Sequence, residues 1–231
     1  MADNLQSSII DLLKSSIAET MKRIYSALPG HVLAFDPVTQ LAQVQIGILG
    51  QDNAGQAFAI APLDDVPVMV YGGAEYVSEV AIKPGCEGLI LFSARCLDGW
   101  LNTGGVAANP IPERRFSLSD ALFIPGIRSI PKAIKSHANE GIRLRNADAS
   151  QYVWLHESGA ITATNGKGII EIAPSGVVTI NGVAIDTKGN IVTPTTVKAT
   201  TVTGTSNVVF GGISGVGHVH PCGDHNTGAP K

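Results

Sequence analysis

Apolar residues recur at steps of three and four over the first part of the chain: Leu5, Ile9, Leu12, Leu13, Ile17, Met21, Ile24 and Leu28, with Lys, Glu, Ser and Gln between them, until Pro29-Gly30 interrupts the pattern. This spacing predicts an amphipathic helix over 4–27. Its apolar stripe needs a partner, either the chain's own next domain or the same helix in a neighbouring subunit. The polar face is not strongly basic, which argues against a helix lying on a membrane surface.

From His31 the period shortens to two. His31–Phe35 and Leu41–Ile48 flank the turn-forming Asp36-Pro37-Val38-Thr39, and Gln43-Val44-Gln45-Ile46 alternates as a half-buried strand does, so a hairpin is predicted. Further strands are expected at Ala57–Ile60, Val66–Tyr71, Glu75–Val80 and Gly88–Ser93. Their number and spacing suit a small closed barrel of the oligonucleotide/oligosaccharide-binding type. Such a fold does not imply either ligand, and the basic groove and exposed aromatics of single-strand binders are missing. Beyond the strands, Ser117 or Ser119 is placed to cap a short helical turn ended by Pro125-Gly126. Arg95 with Asp98 reads as a catalytic pair or as an ion pair pinning a loop, and Arg114, Arg115 and Asp120 carry the same two readings.

Between His137 and Gly217 come short alternating segments: Ile142–Asn146, Tyr152–Leu155, Ala160–Thr164, Ile169–Ile172, Val177–Ile180, Val183–Asp186, Asn190–Val192 and Thr196–Thr200, separated by Asn-Gly, Ser-Gly and Lys-Gly turns. Each strand offers one or two inward apolar residues. Roughly 80 residues arranged this way cannot bury a core alone. Three copies wound about one axis would join the inward Val, Ile and Ala residues into a continuous core and leave no free sheet edges. A single-chain β-solenoid is the alternative.

Charged residues make up only 15% of the 231 positions, glycine occurs 26 times and the net charge is -3, which fits a β-rich fold and gives no support for a nucleic-acid partner. Cys86, Cys96 and Cys222 are odd in number and form no Cys-x-x-Cys, so reduced thiols or core fillers are expected rather than a disulfide framework. Met1-Ala2-Asp3-Asn4 lacks a basic region, so no Sec-type leader is expected, and no run approaches the roughly 18 apolar residues of a spanning helix.

The end of the chain reads Gly217-His218-Val219-His220-Pro221-Cys222-Gly223-Asp224-His225. In an extended segment His218 and His220 point the same way and can grip one metal ion, though two imidazoles do not close a site. Three chains meeting on a threefold axis would supply six nitrogens, an octahedral set suited to iron or nickel. The plain alternative is an exposed tail whose histidines bind nothing. His31, His137 and His156 read as surface or turn residues, and His225 stands outside the metal pair.

In its order of parts the chain resembles the central spike proteins of contractile-tailed bacteriophages, of the Mu-like and Gp138-like membrane-puncturing type. The resemblance rests on the N-terminal helix, the barrel, the Arg95-Cys96-Leu97-Asp98-Gly99-Trp100 and Ser119-Asp120-Ala121 segments, the thin strand repeat, and the terminal Gly217-His218-Val219-His220-Pro221 followed by Asn226-Thr227-Gly228-Ala229-Pro230. It implies a mainly β chain divided into a helix (1–29), an OB-fold barrel docking on the baseplate hub (30–130), an intertwined trimeric triple-stranded β-helix (131–214) and an apex (215–231). It also implies one iron ion per homotrimer held by His218 and His220 of three chains, a place in the virion at the tip of the tail baseplate, and contact with hub proteins and the host outer membrane. Gly215, Gly217, Gly223 and Gly228 would let three backbones crowd the axis. Cys222 and Asp224-His225 depart from the small residues expected there.

The function implied is piercing of the host outer membrane during tail contraction, without enzymatic activity. One alternative is a purely structural baseplate hub or plug. The other is a trimeric β-helical polysaccharide-degrading enzyme, which needs paired carboxylates in a groove, whereas Glu140, Asp148, Glu157, Glu171 and Asp186 are scattered.

Overall fold

The computed structural model describes residues 2–22, 24–52, 54–109, 114–211, 213–214, 219, 221–223 and 225–226. It is mainly β with one long helix, and it divides into two compact units, Met1–Ala133 and Ile134–Lys231. In the first unit, helix α1 (Ala2–Met21) is shorter than its apolar period suggests. The chain leaves the helix and enters strand β1 (Ala27–Asp36), so Leu28, Pro29 and Gly30 lie inside a strand rather than at a helix stop. Gly30 is there for space. A Cβ on it would stand 2.5 Å from the Gln45 carbonyl and 2.6 Å from Ile90 Cδ1, so glycine is what lets β1 approach both of its neighbours.

The predicted hairpin is present. Strand β1 pairs antiparallel with β2 (Leu41–Ile46), and the Asp36 carboxylate closes the turn by accepting the Val38 N–H at 2.9 Å and the Thr39 hydroxyl at 2.8 Å. His31 sits half-buried within β1, not in a turn. Two small hairpins interrupt the sheet, β3 (Gly50–Gln51) with β4 (Ala57–Phe58), and β6 (Tyr71–Gly72) with β7 (Val77–Ser78). Between them lies β5 (Leu63–Pro67), and after them come β8 (Glu87–Phe92), the short helix α2 (Asp98–Asn102) and β9 (Ala121–Pro125).

The helical turn expected to end at Pro125-Gly126 is instead this strand β9. Its Ala121 and Phe123 alternate inward and are buried, so a core period of two overrides the cap-like serines before it. The sheet order is β5-β2-β1-β8-β9. It curls into a half-barrel whose edge strands are joined by a parallel bridge from Val68 to Phe123, with the Met69 N–H donating to the Phe123 carbonyl at 2.8 Å. Inward residues of alternating strands fill it: Val32, Val44, Ile90 and Phe123 are fully buried. Among the described residues the core lies wholly in this unit.

The second unit is a meander. Strands β10 (Ile142–Arg145), β11 (Tyr152–Leu155), β12 (Ile161–Thr164), β13 (Ile169–Ile172), β14 (Val178–Ile180), β15 (Val183–Ile185) and β16 (Ile191–Val192) form a seven-stranded sheet in sequence order. Asn181-Gly182, joining β14 to β15, has φ of 47° and 90°, the left-handed pair that an Asn-Gly hairpin turn requires. The strand expected at Thr196–Thr200 is not formed. Two further hairpins follow, β17 (Val209–Phe210) with β18 (Ile213–Ser214) and β19 (Pro221–Cys222) with β20 (His225–Asn226). No helix among the described residues is long and apolar enough to cross a membrane.

Candidate functional site

Directly paired residues of an antiparallel sheet share a face, and so do residues two apart along a strand. Applied to the meander, these two rules assemble one surface. Ile142 pairs with Leu155, Leu155 with Ile161, Ile161 with Ile172, Ile172 with Val178, Val178 with Ile185 and Ile185 with Ile191. The second row of the same face runs Leu144, Val153, Ala163, Ile170, Ile180, Val183. Every residue of this face is Ile, Leu, Val or Ala. None is buried; Leu144 is 69% exposed, Ile170 48% and Ile191 69%. A contiguous apolar face of this extent marks an interaction surface.

The opposite face is mixed: Arg143, Arg145, Thr162, Thr164, Glu171 and Thr179 share it with Ile169, Ala184 and Val192, and its polar groups on the first strands are satisfied locally. Arg143 lies over the rings of Tyr152 and Trp154, 5.5 and 5.1 Å from their centroids, and the Trp154 indole N–H donates to the Glu140 carbonyl at 2.7 Å. His156 Nε2 is 2.9 Å from the Glu140 carboxylate, in keeping with a turn position. Arg143 and Arg145 both donate to the Ser136 carbonyl, and Arg145 reaches Lys135 and Ala147 as well, so the segment entering the meander is tied to its first strand.

In the first unit the loop after β8 is held by an ion-pair network. Arg114 donates from Nε to Asp120 Oδ2 at 3.0 Å, and from Nη1 and Nη2 to the two oxygens of Asp98 at 3.0 and 2.9 Å. Asp120 is fully buried, and it also accepts the Leu97 N–H at 2.8 Å. Burial pushes its carboxyl pKa up, but the Arg114 guanidinium and the Leu97 amide outweigh that and hold it below the usual carboxylate value. The loop-pinning reading is correct in kind and wrong in partner. Asp98 pairs with Arg114, not with Arg95, which is exposed and forms no ion pair among the described residues. Ligand atoms of Cys96, Asp98 and Asp120 lie within 4.8 Å of one another. The guanidinium already fills that space with a positive charge, so the cluster reads as a structural pin rather than a metal centre.

Cys86 and Cys96 are free, half-buried thiols, and burial raises the pKa of Cys86. His218 and His220, the residues assigned to a metal, lie outside the described residues, as does any geometry between them.

Comparison with known families separates the two units. The family described as Phage protein Gp138 N-terminal domain matches residues 28–126. Over this span the chain is similar to that phage domain. The Gp138 match begins inside β1 and ends at Gly126, just past β9, so it coincides with the curled half-barrel and takes in neither α1 nor the meander. No curated protein matches the chain. The ion-pair reading given to Arg114 and Asp120 holds, with the two paired to each other; the sequence named no partner for either.

Proposed function

We propose that this chain is the central spike of a phage tail baseplate, a homotrimer that pierces the host outer membrane as the tail contracts. The observation that carries this reading is the uncovered apolar face of the meander. A sheet that buries none of its own residues gains its stability from other copies, and three such faces turned to one axis give each strand a dry partner on an intertwined β-helix. On this reading the Gp138 half-barrel is the OB-fold that docks on baseplate hub proteins. The work done is mechanical, with no catalytic step.

The apex is assigned to His218 and His220. Three His-x-His pairs offer six neutral imidazole nitrogens, a donor set that fits an octahedral first-row ion such as iron. When bound, the ion would supply a cross-link between the three chains at this position. The residues' own part would be to offer two imidazole nitrogens per chain from positions two apart in sequence.

Size-exclusion chromatography with light scattering, coupled to elemental analysis of the same peak, tests both halves on the full chain. A trimer carrying close to one iron per three chains is expected, and His218→Ala with His220→Ala is expected to keep the trimer and lose the metal. A monomer refutes the needle. A trimer that never carries metal leaves the structural hub or plug as the better reading.

A further inference from the structure

Helix α1 has no place to bury its apolar side. All of its described side chains, residues 9 to 21, are exposed, with Leu12 at 69%, Leu13 at 57%, Ile17 at 61% and Met21 at 60%. At about 100° per residue, Leu12, Ile9, Leu13, Ile17, Ile10 and Met21 cover roughly half of the helix circumference. That arc is wider than the narrow seam of a two-stranded coil and suits a helix with a neighbour on each side. Helices in water draw most of their stability from such packing.

We propose that α1 is a self-association element: three parallel copies bury Ile10, Leu13, Ile17 and Met21 against one another as a helical bundle at the N-terminal end of the trimer. This rests on the trimer reading above. A threefold axis makes the three copies of α1 equivalent, so copies that meet along it do so parallel and in register. Tethering raises their mutual concentration to the millimolar range typical of short links, so a seam too weak to join free helices closes here. The polar face alternates in sign, with Asp11, Lys14, Glu19 and Lys22, and Lys22 bonds Glu19 within the helix at 2.7 Å. Such a face gives no attraction to anionic lipid, and it is compatible with a solvated bundle exterior.

Positional cysteine cross-linking in the full chain tests this. Leu13→Cys, Ile17→Cys and Ser15→Cys are each exposed to a mild thiol oxidant, beside the wild type, which accounts for Cys86, Cys96 and Cys222. Two thiols brought together break their S–H bonds, lose two protons to water and two electrons to the oxidant, and form one S–S bond, so each trimer yields one linked pair and one free chain on a non-reducing gel. The expected result is rapid linkage at positions 13 and 17, at least tenfold faster than at position 15. Equal rates at all three positions, or none above wild type, in a protein that light scattering shows to be trimeric overturn the bundle and leave the trimer standing. A monomer removes the trimer reading, and the bundle with it.

Discussion

Replacing Arg114 by alanine isolates the one buried charge among the described residues of the half-barrel. Asp120 has no exposed surface, whereas the Arg114 and Asp98 side chains are 29% and 50% exposed. Removing one partner of a buried pair costs roughly 3–5 kcal/mol, because the remaining charge stays buried without compensation. Asp120 keeps the Leu97 amide, and Arg114 is partly solvated, so the lower end applies and about 3 kcal/mol is expected. The half-exposed Asp98 arm is worth little by comparison, about 1 kcal/mol or less for Asp98→Asn. Trp100 lies in α2 beside this network, and with Trp154→Phe as background it is the sole tryptophan, so urea unfolding followed by its fluorescence reads the loop directly. With a urea slope of about 1–3 kcal/mol/M, Arg114→Ala moves the midpoint down by about 1–3 M. An Arg114→Ala midpoint no lower than that of Asp98→Asn would refute the claim that the buried carboxylate dominates.

The same pair fixes an acid dependence. The folded pKa of Asp120 lies below its ordinary value of 3.8, so its contribution to wild-type stability is full above that value and is lost as pH falls through the folded pKa; wild-type stability in chemical unfolding is therefore expected to drop below pH 3.8, and the gap to Arg114→Ala to have closed once Asp120 is protonated in both. Gly30→Ala places a methyl group 2.5 Å from the backbone Gln45 carbonyl, which cannot swing aside, and costs about 1–3 kcal/mol in thermal unfolding of the half-barrel. Ile170→Glu puts a charge on the central strand of the apolar face and is expected to convert a light-scattering trimer into monomer or aggregate; an intact trimer would show that this face is not the contact.

Where a strand's burial alternates, it could be read from the chain. Gln43-Val44-Gln45-Ile46 and the short segments of the meander repeat with period two, and their turns are marked by Asp36 and by Asn181-Gly182. Glycine and proline misled. Pro29-Gly30 looks like a helix stop, yet Gly30 serves strand crowding, a tertiary demand with no local signature. The cap-like Ser117 and Ser119 concealed β9 for the same reason, since only the core shows that Ala121 and Phe123 point inward. Arg95 was paired with Asp98 by nearness in sequence, whereas the geometry brings in Arg114 from across the loop. The apolar face was legible as strands with too little to bury, and the pairing register adds that its whole length lies on one side.

The register also sets an order of folding. Each strand of the meander pairs only with its neighbour in sequence, so its contacts are local and each rung can zip onto the last within microseconds to milliseconds. The half-barrel is different, because the Val68–Phe123 bridge joins segments far apart in the chain and must wait for a long loop to close. On the trimer reading proposed above, the meander's remaining step is intermolecular: rungs formed early would present an apolar face until other copies arrive. Yield of the assembled protein should therefore depend on chain concentration during refolding, while closure of the half-barrel should not.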